Sequence, residues 1–460
     1  MTRPIPLSFR PRTTRPAWQG AALAAGLGLL GALAAALPGC GGASEAACTE
    51  AGCLTLVLDG ASGLAGPLDD VTVIVQAGAT TWRPPLRERL IRLPSALSLQ
   101  LPACVAAEPR LRVTVRARLA GARLVAAGER VRDGQPARMP LTLEPIETDG
   151  PGARLGAALA HDPVSGRLLL IGGRRGSTVL SEPWAWDGAR WQKQAEPGLP
   201  ARSGHAVALD PQRGLLLLFG GRGADGALLA DTWLYDGAAW QRVAVAGPPA
   251  RAHTALAPVA GGLLLSGGVG ATDAALGDTW SWDGQGWREV TAARDACPDE
   301  RPATASGPRC RTGASLVAAG PAALLLGGLL GPRPTSPPEL DEVAWRWDGG
   351  SFAALPVSPA TVLQRWLGAA APVSDGRVLI GGGQSSGGPR QDFYLLEASS
   401  GRASPLLGVA PPARSEAALA YDPLRDEAIL FGGEGREQQA AVELADTWSF
   451  HPAAGWERLR

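Results

Sequence analysis

Net charge is missing from this sequence, because 43 lysines and arginines balance 43 aspartates and glutamates. That balance argues against a nucleic-acid binder working through bulk positive charge. Lysine itself is nearly missing: Lys193 is the single example, and the arginines are scattered through every segment, as codon bias would leave them. Metal-ligating side chains are scarce too, with 4 His and 6 Cys in 460 residues. A structural zinc site needs four ligands in close pairs of Cys or His, and neither condition is met. No serine elbow, zinc motif or phosphate-cradling loop stands out, and the glycine pairs lack a strand-to-helix context. No catalytic residue, metal or cofactor is therefore expected.

Turn chemistry is abundant instead. The chain carries 61 Gly and 40 Pro although 45 % of it is apolar, which suggests many short strands rather than long helices. Its 460 residues are too many for one ordinary core and imply two or three domains.

The N-terminus reads as an address. Residues 1–20 hold Arg3, Arg10, Arg12 and Arg15 and no acid, and Ala21 to Leu37 is an uncharged Ala/Leu/Gly run. It ends in Leu37-Pro38-Gly39-Cys40. A basic start, an apolar stretch of this length and small residues at its end make a secretory signal. The closing tetrad resembles the bacterial lipobox, with Pro38 departing from the usual small or β-branched residue. The resemblance implies that Cys40 is acylated and opens the mature chain. Gly41 rather than Asp follows, which by resemblance to proteobacterial sorting favours the outer membrane. Two other readings stay open: cleavage at Ala34-Ala35-Ala36 to give a periplasmic or secreted protein, and an uncleaved anchor. Cys297 and Cys310 flank a polar, Pro-rich insertion and are expected to form a disulfide in an oxidising compartment. Among Cys48, Cys53 and Cys104 the pairing is open.

From Cys53 to Pro145 apolar residues alternate in short runs, at Leu54–Leu58, Val71–Val75, Leu97–Leu101, Leu111–Val115 and Met139–Leu143. Such spacing predicts a small antiparallel β-sandwich over residues 41–150, a spacer after the signal at 1–40. The chain then repeats from 151 to 460. Each unit opens on an arginine: Arg154, Arg202, Arg251, Arg311, Arg365 and Arg414. An apolar run follows and ends in a glycine pair: Gly172-Gly173, Gly220-Gly221, Gly267-Gly268, Gly327-Gly328, Gly381-Gly382 and Gly432-Gly433. An aromatic pair comes next, as in Trp233/Tyr235 and Trp280/Trp282, and a closing aromatic such as Trp240 or Trp287 ends the unit. Twelve of the 15 Trp fall at these phased positions.

This order resembles the kelch motif, six times in tandem from Arg154 to Arg460. The resemblance implies an all-β, six-bladed β-propeller, with one blade per unit of roughly 50 residues. Each unit supplies its own four strands, so no strand is expected to be exchanged between the ends. Some kelch propellers are enzymes. Copper oxidases of the galactose oxidase kind need two His, two Tyr and a crosslinked Cys. Here His161, His205, His253 and His451, with Tyr235, Tyr394 and Tyr421, do not assemble such a set by phase, and His205 and His253 read as one repeated fold position. A sialidase-like reading lacks its S-x-D-x-G-x-T-W turn. The expectation is therefore a ligand-binding module, a monomer tethered to a membrane by its lipid, with a carbohydrate-active or redox enzyme as the alternative. In kelch propellers that capture peptides, the opening Arg and the residue after the glycine pair reach one mouth of the channel. Carried over, this gives Arg154, Arg174, Arg202 and Arg222 as candidate contacts for an acidic peptide or anionic glycan. The competing expectation is that the opening arginines pair with acids of the repeats, such as Asp231 and Asp278.

Overall fold

Among the described residues, apolar alternation between Gly, Pro and Asp turns folds here as short strands, with one 3-10 turn at Ala360–Val362. The computed structural model describes residues 53–60, 66–77, 80–84, 86, 91–93, 95–101, 110–119, 122–131, 137–145, 150–195, 198–291, 307–331, 338–437 and 440–459. The protein is all-β. The described residues belong to one unit, Cys40–Arg460. The N-terminal address with Cys40, and Cys48, Cys104 and Cys297, lie outside them, as do residues 292–306 and 332–337 of the two insertions.

The first part is an eight-stranded sheet: β1 (Cys53–Gly60), β2 (Gly66–Ala77), β3 (Thr80–Trp82), β4 (Ile91–Leu93), β5 (Ser95–Gln100), β6 (Arg110–Leu119), β7 (Ala122–Val131) and β8 (Ala137–Pro145). Its order is β3-β2-β6-β7-β8-β1-β5, with β4 on β2. The alternating residues Leu54, Leu56, Leu58, Val73, Val75, Leu111, Val113 and Val115 turn inward to one core. The expected antiparallel arrangement needs one correction, since β1 runs parallel to β8. Alternation fixes which face of a strand is buried but not the direction of its neighbour.

Six four-stranded antiparallel sheets follow, each built from consecutive segments of chain. Their first strands are Ala158–Asp162, Ala206–Asp210, Ala255–Val259, Ser315–Ala319, Ala369–Pro372 and Ala418–Asp422. Each first strand contacts the first strand of the next unit, and the sixth contacts the first. The second strands are apolar on both faces because both faces are covered. In unit one, Leu168 and Leu170 pack against Ile429 and Phe431 of unit six, whereas Leu169 and Ile171 pack against Leu216 and Leu218 of unit two. The closing tryptophans reach backward in the same sense. Trp287 packs edge-on to Phe219 and donates to Thr232 Oγ1 at 2.9 Å. Trp191 of unit one does the same to Phe431 and to Thr447 Oγ1 of unit six.

Among the described residues no strand of the first unit pairs with a strand of the last. The eight-stranded sheet also sits across that junction. Arg116 on β6 is buried, donates to both Glu427 carboxylate oxygens at 2.7 and 3.1 Å, and donates through Nε to the Gly188 carbonyl at 3.0 Å. Glu427 belongs to unit six and Gly188 to unit one. Arg83 adds bonds to Glu427 and to the Arg425 carbonyl at 3.2 and 3.0 Å, and Thr81 donates to the Leu424 carbonyl at 2.6 Å. Burial raises the Glu427 pKa, but the two guanidinium groups outweigh it and hold the carboxyl below its usual range.

Candidate functional site

The repeated arginines build the frame of the site. All six are at most 2 % exposed. Each donates to the carbonyl of a glycine in its own unit; in units two, three and four the acceptors are Gly220, Gly267 and Gly327, each at 3.0 Å. Five also hold an aspartate just ahead of the third strand, as Arg251 holds Asp278 at 2.7 Å and Arg414 holds Asp446 at 2.7 and 2.8 Å. Four of these aspartates, all but Asp392 of unit five, also accept a tryptophan Nε1–H, from Trp233 at 2.6 Å, Trp280 at 2.7 Å, Trp345 at 3.1 Å and Trp448 at 2.7 Å. Arg154 has no such carboxylate and donates to the carbonyls of Gly172 and Glu182. Burial lowers its pKa to about 10, with Glu182 opposing and Arg175 adding to the fall.

Arg154 and Arg202 are therefore not at a ligand face. Their side chains are 1 % exposed and turned into their own units, so the expectation that they contact a ligand is corrected. Charged guanidinium groups at such depth need internal acceptors; unit two supplies Arg202 with the Gly220 carbonyl and the Asp231 carboxylate, whereas Nη2 of Arg154 has no hydrogen-bond partner. Unit five also needs a shift of register. Gly381 lies in a strand, and the pair with positive φ is Gly382-Gly383, at 61° and 87°. Arg365 accordingly donates to the Gly382 carbonyl at 2.8 Å.

Two residues after each buried arginine the chain reaches the centre. Gly156, Gly204, His253, Gly313, Leu367 and Glu416 occupy this position, all left-handed, with φ of 58°, 63°, 52°, 64°, 53° and 53°. Each N–H donates to the carbonyl of the equivalent residue one unit earlier. The distances from Gly204 round to Glu416 are 2.8, 2.7, 3.1, 2.7 and 3.0 Å, and Gly156 closes the circle onto Glu416 at 3.2 Å. A cavity of about 130 Å³ lies at this ring. His205 stands one position later than His253 relative to its arginine, so the two are not one repeated position. Burial, with Arg202 nearby, pushes the His205 pKa down to about 3, and the ring is neutral.

Just outside the ring sit the residues that follow the glycine pairs: Arg174, Arg222, Val269, Leu329, Gln384 and Glu434. They pair with the residue after each buried arginine, as Arg222 does with Ser203 and Gln384 with Trp366. This mouth has two unlike halves. Arg174 and Arg222 keep 37 % and 41 % of their side chains exposed. Their acid partners are distant, Glu416 at 3.9 Å and Asp273 at 3.7 Å. Beside Arg222's partner Asp273 an apolar pocket of about 230 Å³ is lined by Val269, Ala275, Leu329, Leu330, Trp366 and Leu367, with His253 and Asp273 at its polar side.

No protein-family model and no curated protein sequence matches the chain. His253 joins the two halves: burial lowers its pKa most, Glu416 opposes, and Arg222 and Arg174 add to the lowering, so it is neutral at pH 7. Among the described residues no group of three or more His, Cys, Asp or Glu could hold a metal.

Arg174 and Arg222, expected as ligand contacts, lie next to the ring residue Glu416 and to Asp273 respectively. Sequence reasoning missed His253, Leu367, Glu416 and Trp366. The signals existed. Trp366 is one of three Trp outside the repeat phase, and the position two after the arginine is Gly in three units only. Of the remaining site residues, Cys310 is disulfide-bonded, whereas Cys297 and the lipidation residue Cys40 lie outside the described residues.

Proposed function

We propose that this is an exported, lipid-anchored binding module whose six sheets are the blades of a kelch-type β-propeller, with a small β-sandwich-like spacer ahead of it. Supporting the propeller reading are the circular order of first strands, the backward-reaching tryptophans and the six-membered hydrogen-bond circle at the centre. The Cys40 tether and outer-membrane location rest on the sequence. Among the described residues no helix is long and apolar enough to cross a membrane.

One observation carries the binding reading: a single mouth sets two exposed, loosely paired arginines beside an apolar pocket of about 230 Å³. Guanidinium groups take carboxylates by paired hydrogen bonds, and a concave apolar surface with few polar groups is the usual form of a ligand site. The ligand class that fits both halves is an acidic peptide with an apolar or aromatic neighbour to its carboxylate. A purely anionic glycan would leave the pocket empty. The probe 8-anilinonaphthalene-1-sulfonate carries both elements. It should bind the native protein with salt-sensitive affinity, and Arg174→Ala with Arg222→Ala should abolish that binding while the melting temperature holds. Unchanged binding by the double variant would refute the site.

A further inference from the structure

Left-handed backbone suits glycine, which has no Cβ to clash. Three of the six central positions have glycine, so the fold's requirement there is met by the residue one expects. The other three hold His253, Leu367 and Glu416 at φ of 52–53°. For a leucine this conformation is a genuine outlier. Strained residues of this kind cluster where the strain has a use, at active sites, ligand clamps and switches.

Their positions show what that is. The His253 imidazole covers Gly204, where a Cβ would lie 3.1 Å from its Cε1. Leu367 covers Gly313 in the same way, at 3.0 Å from Cδ2, and the Glu416 carboxylate covers Gly156 at 3.3 Å from Oε2. Glycine at one position thus makes room for a side chain from another. His253 and Leu367 line both the outer pocket and the central cavity, and so form the partition between them. Glu416 lines the central cavity and faces Arg174.

We propose that His253, Leu367 and Glu416 are the specificity-determining residues of the mouth. His253 and Leu367 are the floor that stops the apolar part of a ligand short of the central cavity, and Glu416 sets the position of Arg174 for its anionic part. This rests on the reading of the mouth as a binding site. The test is a series of linear alkanesulfonates, butane to dodecane, titrated by calorimetry into the full-length native protein and into His253→Gly, Leu367→Gly and Arg174→Ala/Arg222→Ala. Affinity should rise about fourfold for each methylene buried. In the native protein the rise should stop once the pocket is full. In His253→Gly and Leu367→Gly it should continue for at least two further methylenes, into the central cavity. Both glycine variants should melt within about 2 °C of the native protein, because relief of backbone strain offsets the packing that the missing side chain supplied. A chain-length limit identical in all three proteins would overturn the proposal, and so would a large fall in melting temperature in both glycine variants. If the double arginine variant binds the sulfonates as the native protein does, the mouth reading itself fails. If that variant loses binding but the limit does not move, only the role of the three residues fails.

Discussion

Replacing Arg116 with alanine should open the ring at one junction only. The change removes the guanidinium that joins Glu427 of unit six to the Gly188 carbonyl of unit one. It leaves a carboxylate whose side chain is fully buried. Breaking a buried ion pair by removing one partner costs roughly 3–5 kcal/mol. Arg83 remains 3.2 Å from Glu427 and lowers the loss, so the low end applies. A cost of about 3 kcal/mol corresponds to a fall of about 6 °C in melting temperature, at ~2 °C per kcal/mol for a domain of this size. Calorimetry reads the magnitude and hydrogen exchange reads the place. Exchange should quicken in Ala158–Asp162 and Ala418–Asp422, which meet at the junction, and stay slow in Ser315–Ala319 on the far side. Arg116→Met with Glu427→Leu removes both charges and should recover most of the loss. A melting temperature unchanged by Arg116→Ala, or exchange that rises equally at every junction, would refute the idea that the eight-stranded sheet helps hold units one and six together.

Three further outcomes are expected. Cys297 and Cys310 should resist alkylation in the oxidised protein, and mass spectrometry showing two free thiols there would exclude their disulfide. Cys40→Ala should move the protein from the membrane to the soluble fraction, and retention would mean another tether. Burial raises the Asp446 pKa, but Arg414 and Trp448 hold the carboxyl below its ordinary 3.8. The stability from that pair is therefore full above 3.8 and lost as pH falls through the lower folded value. Asp446→Asn should melt lower at pH 7 and lose less than the native protein on acidification; equal losses in both would deny the pair its role.

The repeat was legible because each of its marks has a local physical cause. Glycine pairs mark left-handed turns, and phased tryptophans mark wedges between sheets. The arginine–aspartate pairing was visible as one of two readings, but a one-dimensional phase could not say which end of the side chain faces water. Gly381 misled because three glycines run together and only the carbonyl that Arg365 bonds decides the register. The strand β7 was missed since Ala122–Val131 mixes alanines with charges and alternates poorly. The parallel β1–β8 pair was invisible because strand direction depends on distant chain. The mouth was half legible: two arginines follow glycine pairs, whereas His253, Leu367 and Trp366 gain meaning only when units three to five are curled against one another.

A crystal structure of the native protein soaked with 8-anilinonaphthalene-1-sulfonate tests the binding account most directly. The sulfonate should lie between Arg174 and Arg222, and the ring system should lie against Leu329, Leu330 and Trp366. Density for the probe elsewhere, with this mouth empty, would contradict it.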